Sequence, residues 1–308
     1  MDLGYIQAII MGALQGLTEF LPVSSSGHLV MSQHLFGLKP KDPAMMIFDL
    51  ATHLGTMVAV LVYYRREVSK YLKHLNRSLP MLKQPKQAYH ESASIRFTVL
   101  AFVSLFGTGI VYVLFKKVIE KGFEEPAMVA GCWFVTAIVL FITDRKKTNH
   151  RSIKKFWIYF ALIVGMAQGL AILPGISRSG STICVALLLG LHRKWAGQYS
   201  FLIGIPAIVG ASLIEGIKFF SAGHSSLPWG PTIVGSVVSM FVGIAALSLL
   251  LWAVRKAKLK IFAYYCIIIS IATFIAIACG KLENKAPAEF DKTEVQTSMM
   301  MDTGPNIY

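Results

Sequence analysis

Gln15-Gly16-Leu17-Thr18-Glu19-Phe20-Leu21-Pro22-Val23-Ser24-Ser25-Ser26-Gly27-His28 is a short polar interruption inside apolar sequence, and the chain contains it twice. The second copy is Gln168-Gly169-Leu170-Ala171-Ile172-Leu173-Pro174-Gly175-Ile176-Ser177-Arg178-Ser179-Gly180-Ser181-Thr182. Both read Gln-Gly-Leu, an apolar step, Pro, then a Ser-rich turn closed by Gly. Gln168 follows Gln15 by 153 positions, and Gly180 follows Gly27 by the same 153. A self-similarity of about half the chain length is a statement about architecture before it is one about function.

Outward from each copy the sequence turns apolar, from Leu3 to Leu21 and Leu29 to Leu38 around the first, and from Trp157 to Leu173 and Ile183 to Leu191 around the second. Pro, Gly and Ser break a helix there and release backbone groups that hydrocarbon cannot satisfy. Each motif is therefore expected to join two half-helices around a polar pocket. Paired interruptions in corresponding halves point to the binding site of a membrane protein.

Composition agrees. Of 308 residues, 55% are hydrophobic and 15% charged, with a mean hydropathy of +0.58, too apolar for an ordinary soluble domain. The net charge of +14 does not mark a nucleic-acid protein, because the cations lie in loops and the aromatics in the apolar runs. Cys132, Cys184, Cys266 and Cys279 show no CxxC spacing and no disulfide framework. Met1-Asp2-Leu3 carries no basic stretch, so no cleaved signal peptide is expected.

Six runs are long enough to cross a core of about 30 Å: Ala44–Tyr64, Ser94–Phe115, Pro126–Thr143, Gly197–Phe220, Pro231–Val254 and Lys260–Gly280. The expected fold class is all-α, a polytopic membrane protein of six transmembrane helices and two re-entrant helical hairpins. Residues 1–150 form one repeat, 151–280 the second, and 281–308 a polar, disordered tail. Lys/Arg-rich loops (65–86, 145–155, 192–194 and 255–260) alternate with poorer ones, which puts the rich loops in the cytoplasm and both termini outside. Three crossings per half is an odd number, so the second hairpin enters from the opposite face, as an inverted repeat.

Ionisable groups at mid-membrane should face inward and be paired. The broken segments hold Glu19, His28 and Arg178. Asp49, His53 and Glu215, like His34, are read as interfacial or helix-pairing residues. Helices starting near Ser25 and Ser179 present free N–H groups and a positive end, which suits phosphate, and Arg178 adds a planar fork that matches phosphate oxygens. Glu19 lies one helical turn from Gln15, so the two can share a divalent cation, Mg²⁺ or Ca²⁺, with phosphates completing the shell. His28 stands three residues after Ser25, within reach to take its proton. A serine, a base, a carboxylate and an arginine on phosphate are the parts of a phosphoryl-transfer site. No Walker loop with Lys, HExxH or GxSxG is present.

Residues 15–28 together with Pro174 to Thr182 closely resemble the bacterial undecaprenyl pyrophosphate phosphatases of the bacitracin-resistance type, over about residues 1 to 280. The resemblance implies an inner-membrane, multi-pass hydrolase that converts undecaprenyl pyrophosphate to the monophosphate plus phosphate and so recycles the lipid carrier of peptidoglycan precursors. Bacitracin binds the pyrophosphate form, so such an enzyme gives tolerance. Motif match assigns catalytic places to Glu19, Ser25, His28 and Arg178, and phosphate-side places to Ser177, Ser179 and Thr182, with Gln15, Ser24 and Ser26 also at the substrate. The family's acidic motif is usually Glu-x-x-x-Glu, and here Gln15 holds its first position, able to coordinate a cation but not to act as a base. The alternative is a transporter of a prenyl phosphate lipid, which the same inverted-repeat architecture would serve.

Overall fold

A computed structural model describes residues 3–39, 42–145, 151–221, 228–280 and 282. The expected tail from residue 281 lies, Leu282 apart, outside the described residues, as does the side chain of Glu215. The chain is helical: α1 (Tyr5–Phe20), α2 (Ser25–Leu35), α3 (Pro43–Tyr63), α4 (Arg65–Ser78), α5 (Pro85–Glu91), α6 (Ala93–Gly122), α7 (Pro126–Asp144), α8 (Ile158–Leu170), α9 (Arg178–Leu188), α10 (Arg193–Ser221), α11 (Trp229–Arg255) and α12 (Lys260–Ala278). Among the described residues, the only β pairing is a single bridge between Arg151 and Leu191.

Six of these helices, α3, α6, α7, α10, α11 and α12, are long and apolar enough to cross a membrane, and the protein is a multi-pass membrane protein. They are the six expected runs with shifted ends. α6 continues to Gly122 rather than Phe115, and α10 begins at Arg193 rather than Gly197. Charged residues at those ends are good helix formers and extend the helices past the apolar stretch. The Lys/Arg-rich stretch after α3, expected as a loop, contains α4, which buries none of its residues. Lipid-facing side chains such as Phe102, Phe106, Val113, Leu114, Phe241 and Ile268 stay exposed on the isolated chain, as hydrocarbon contact requires.

The four helices around the two motifs are shorter. α1 has 16 residues, α2 11, α8 13 and α9 11. At 1.5 Å per residue none spans the roughly 30 Å core. Their breaks have local causes. Leu21 precedes Pro22, which disfavours helical geometry, and it is extended at φ −62°, ψ 144°. Ser24 then takes φ +68°, a left-handed value rare for a residue with a side chain, and caps α2 by accepting from the Gly27 N–H. In the second motif Gly175 supplies φ +95° and Ser177 caps α9 by accepting from the Gly180 N–H at 3.0 Å.

Packing crosses between the two halves. α1 lies along α11, and α8 lies along α6; α3 also packs on α11, and α7 on α12. Small residues set the close approaches. A Cβ on Gly12 would overlap the backbone of Gly235, and one on Gly165 would overlap the backbone of Ser104. Between helices in lipid, where no hydrophobic effect draws them together, such backbone contact and its dispersion energy hold the pair. Gly12→Val is accordingly expected to destabilise the protein by about 1–3 kcal/mol through overpacking, read as a lower Tm in detergent.

Candidate active site

The two interruptions meet. Ser24 Oγ accepts from the Gly175 N–H at 3.0 Å, so the cap of α2 also satisfies a backbone donor of the other motif. Trp133 of α7 donates to the Val23 carbonyl at 2.8 Å. Thr136, one turn on, donates to the Gly175 carbonyl at 3.0 Å and accepts from the Ser177 N–H at 3.2 Å. α7 thus clamps both turns, using the backbone groups that the broken helices release.

Across this junction stands Glu19, at the C-terminal end of α1 and only 7% exposed. Its Oε2 accepts from the Ser25 hydroxyl at 2.6 Å and from Gln15 Nε2 at 3.0 Å. Its Oε1 accepts from Arg178 Nη2 of the second motif. His53 Nε2, from α3, lies 3.6 Å from Oε2. One buried carboxylate therefore accepts from α1, α2 and α9, with the His53 ring of α3 close by. A buried charge is tolerated only when so compensated. The sequence required Arg178 to come within a diphosphate's reach of Ser25 and Glu19, and the three lie in one chain of contacts.

Arg178 has a second feature. While Nη2 is on Glu19, Nη1 is buried with no hydrogen-bond partner. The guanidinium lies across Gly204 of α10, where a Cβ would collide with Nη1. A buried unpaired donor on a cation carries a desolvation cost, and an anion arriving at the cleft removes it. Glu19, Phe20, Thr56, Met57, Val60, Arg178, Phe201, Gly204, Ile205 and Ile208 line this narrow cleft between α3 and α10. Gly204→Ala is expected to push the guanidinium off its line and cost about 10- to 100-fold in activity with a small change in Tm, measured by initial rates beside a thermal melt.

Other expected residues fall differently. His28 does not face the Ser25 hydroxyl. Its Nδ1–H donates to the Ser24 carbonyl at 2.6 Å, and Nε2 lies 2.7 Å from the Tyr265 hydroxyl of α12. The ring stacks on Tyr265 and meets Trp133 edge-on. Spacing along α2 put His28 near Ser25. The ring instead turns back onto the Ser24 carbonyl at the start of α2 and onto the α12 tyrosine. Ser177, Ser179 and Thr182 are buried and outside the cleft lining. Ser177 and Ser179 hydroxyls lie 3.2 Å apart, Ser179 donates to the Leu21 carbonyl, and Thr182 donates to the Arg178 carbonyl and meets Ser200. They build the junction: Ser177 caps the start of α9, Ser179 ties α9 to the end of α1, and Thr182 ties it to α10. Ser24 is committed in the same way, and Ser26 lies 3.3 Å from its hydroxyl.

Of the two places expected for His53, an interface or a helix pairing, the structure has the second: it sits more than two turns inside α3 and faces Glu19 of α1. Its Nδ1–H donates to the Asp49 carbonyl at 2.7 Å, which leaves Nε2 toward the carboxylate. Asp49 is also turned inward and accepts from Gln33 Nε2 with both oxygens, at 2.9 and 3.0 Å. Tyr265 was not singled out. A tyrosine in an apolar span gives no sign of its partner. For His53 the signal existed: an ionisable residue inside an apolar run.

Few oxygen donors at the cleft suit a divalent cation. Glu19 is the one carboxylate at the cleft, and no cluster of three or more His, Cys, Asp or Glu suited to a metal occurs among the described residues. Gln15 Oε1, however, is buried and unpartnered beside Glu19. An amide oxygen and one carboxylate fit Mg²⁺ when phosphates supply further ligands.

With the geometry established, comparison with known proteins places the chain. The family described as "Bacitracin resistance protein BacA" matches residues 8–272. A relative from Carboxydothermus hydrogenoformans, named undecaprenyl-diphosphatase, is 38% identical over 278 residues, 89% of this chain and 98% of that protein. One of the same name from Methanosphaera stadtmanae is 39% identical, covering 89% of this chain and 98% of its own length. A third, from a Nocardioides species, is 36% identical over 90% of this chain and 97% of its own. A match running from the first helix through most of the last, with relatives aligned nearly end to end, means that the chain belongs to the bacitracin resistance protein BacA family.

Proposed function

We propose that the protein hydrolyses undecaprenyl pyrophosphate to undecaprenyl phosphate and phosphate at the inner membrane of a bacterial cell, recycling the lipid carrier of cell-wall precursors. Removing the pyrophosphate form also removes the target of bacitracin and gives tolerance. Family membership and the relatives' names support the activity. The observation that carries the site assignment is Glu19, which holds the Ser25 hydroxyl with one oxygen and Arg178 with the other.

The reaction follows from that arrangement. The diphosphate enters the cleft and takes the fork of Arg178, including the unpartnered Nη1. Arg178 gives up part of its contact with Glu19, and the carboxylate becomes a stronger base. Glu19 accepts the Ser25 proton along their 2.6 Å contact. Ser25 Oγ attacks the terminal phosphorus, the bridging P–O bond breaks, and undecaprenyl phosphate leaves. Water then attacks the phosphoserine, releases phosphate and returns the proton to Ser25 by way of Glu19. Arg178 and the N-terminus of α2 stabilise charge on the transferred group. His53 beside Glu19 sets the charge around the base. His28 keeps α2 in place through Ser24 and Tyr265. A divalent cation, Mg²⁺ or Ca²⁺, would be held by Glu19 and by Gln15 Oε1 after rotation of its amide, and when bound it offsets phosphate charge.

The base is thus Glu19 rather than His28, whose ring nitrogens are both engaged. Water activated directly by Glu19 is the second version that the same contacts allow. Trapping a phosphoserine separates them. Ser25→Ala is expected to lower turnover at least about 100-fold and abolish the trapped species. Near-wild-type turnover of that variant would end the serine version and leave the water version standing. The transporter alternative is not favoured by relatives named for a hydrolase. The two hairpins, with three long helices after each and each α1 or α8 packed on the other half's second long helix, support the assignment of 1–150 and 151–280 as inverted repeats.

A further inference from the structure

A second polar cavity, unused by this reaction, opens where α3 and α11 end and α10 begins. It encloses about 360 Å³, within the range of small-ligand sites. Arg193 and Lys194 of α10 and Arg255 of α11 line it, with Glu67 of α4 as the one carboxylate in the lining. Leu251 and Val254 supply an apolar wall. Arg193 is fixed there by donation from Nη1 to the Val254 carbonyl at 3.2 Å.

The second observation is Tyr64. It lines the same cavity, is only 4% exposed, and its hydroxyl is buried with no hydrogen-bond partner. A buried hydroxyl without a partner costs free energy that a ligand oxygen would recover. Nothing in the fold alone requires a tyrosine there, since a phenylalanine would pack the same wall.

The cavity is separate from the active cleft. The cleft is bounded on α3 by Thr56, Met57 and Val60, and the cavity begins further along at Tyr63 and Tyr64. Aromatic rings lie between: Phe20 meets Phe201 edge-on at 5.7 Å, and Tyr64 lies 6.4 Å from the same Phe201 ring. The cavity lies at the end of the bundle where the Lys/Arg-rich segments begin, and the active cleft lies deeper along the same α3–α10 seam.

We infer that this cavity is a second anion site, which takes the head of a phosphate monoester, carried on a lipid or free as orthophosphate. Arg193, Lys194 and Arg255 neutralise the charge, the Tyr64 hydroxyl donates to one oxygen, and the Leu251–Val254 wall accepts the first carbons of a chain where one is attached. Arg and Lys side by side suit a phosphate of two negative charges.

The test uses the full chain in detergent with Arg178→Ala, so that the active cleft neither turns over nor grips phosphate. Geranyl monophosphate, orthophosphate and geraniol are titrated separately by calorimetry. The expected result is saturable binding of the monophosphate, weakened about tenfold or more by Lys194→Ala with Arg255→Ala and about threefold by Tyr64→Phe, with no change for geraniol. Orthophosphate binding as tightly as the lipid identifies free phosphate as the ligand, and much weaker binding identifies the lipid head group. Equal affinity in parent and variants, equal loss for geraniol, or no binding in the parent overturns the site. If the double variant fails to fold, the isosteric Tyr64→Phe decides alone. Because no turnover is read, this outcome does not depend on the mechanism proposed for Ser25.

Discussion

Glu19→Gln is expected to lower kcat/KM for a short prenyl diphosphate by about 10³- to 10⁴-fold, the scale of a lost general base compounded by loss of the group that orients the nucleophile. The substitution keeps the shape of the side chain and removes its charge. Ser25 then has no proton acceptor, since His28 is turned to Ser24 and Tyr265. Arg178 loses its anionic partner, so the diphosphate meets no competitor for the guanidinium. KM is therefore expected to fall or stay level while kcat collapses, a split that separates loss of chemistry from loss of binding. A lower Tm is also expected, because Gln presents one oxygen, which can accept from Arg178 or from Ser25 but not from both, and Arg178 stays buried without its carboxylate. Initial rates of phosphate release in detergent over a range of substrate check both terms. A variant with kcat within tenfold of the wild type would remove Glu19 from the role of base.

Arg178→Lys is expected to lower kcat/KM by about 10²- to 10³-fold, comparable with loss of an oxyanion donor, even though the charge is kept. Lysine cannot present two nitrogens in one plane, one to Glu19 and one to phosphate. Nη2 is on Glu19 and Nη1 is held over Gly204 with no partner, and the proposed mechanism uses both. In contrast to Glu19→Gln, the loss should appear in KM as well as kcat, because the guanidinium grips the substrate before and during transfer. The same assay reads it, and a lysine variant of full activity would show that charge alone suffices. Gly204→Ala should resemble Arg178→Lys more than Glu19→Gln, since it displaces the same guanidinium.

Much of this was legible in the chain. Pro22 and Pro174, the Ser-Gly turns and their apolar flanks placed both helix breaks to within about three residues, because proline geometry and missing N–H groups act locally. The six long helices followed from length and hydropathy. Their ends did not, as charged residues at Arg193 and beyond Phe115 continue a helix that the apolar pattern ends. Glu19 and Arg178 stood out as costly charges in apolar surroundings. His53 carried the same signal, but the sequence does not name its partner, which lies on α1, 34 residues earlier.

Some choices no local reading could make. Which hydroxyl reaches Glu19, Ser25 rather than Ser24 or Ser26, depends on the φ of +68° at Ser24, which turns the next residue toward α1 while Ser24 itself bonds Gly175. Whether His28 serves Ser25 or Tyr265 depends on where α12 lies.

The sequence by itself determined the class of protein, the two breaks and the charged pair, because the costs of burying charge and of breaking a helix belong to single residues and their neighbours. Only the tertiary structure decided which side chains share the cleft. Contacts among α1, α2, α3 and α9 are set by helix packing across the two halves, where a glycine such as Gly12 or Gly204 matters for what it leaves out.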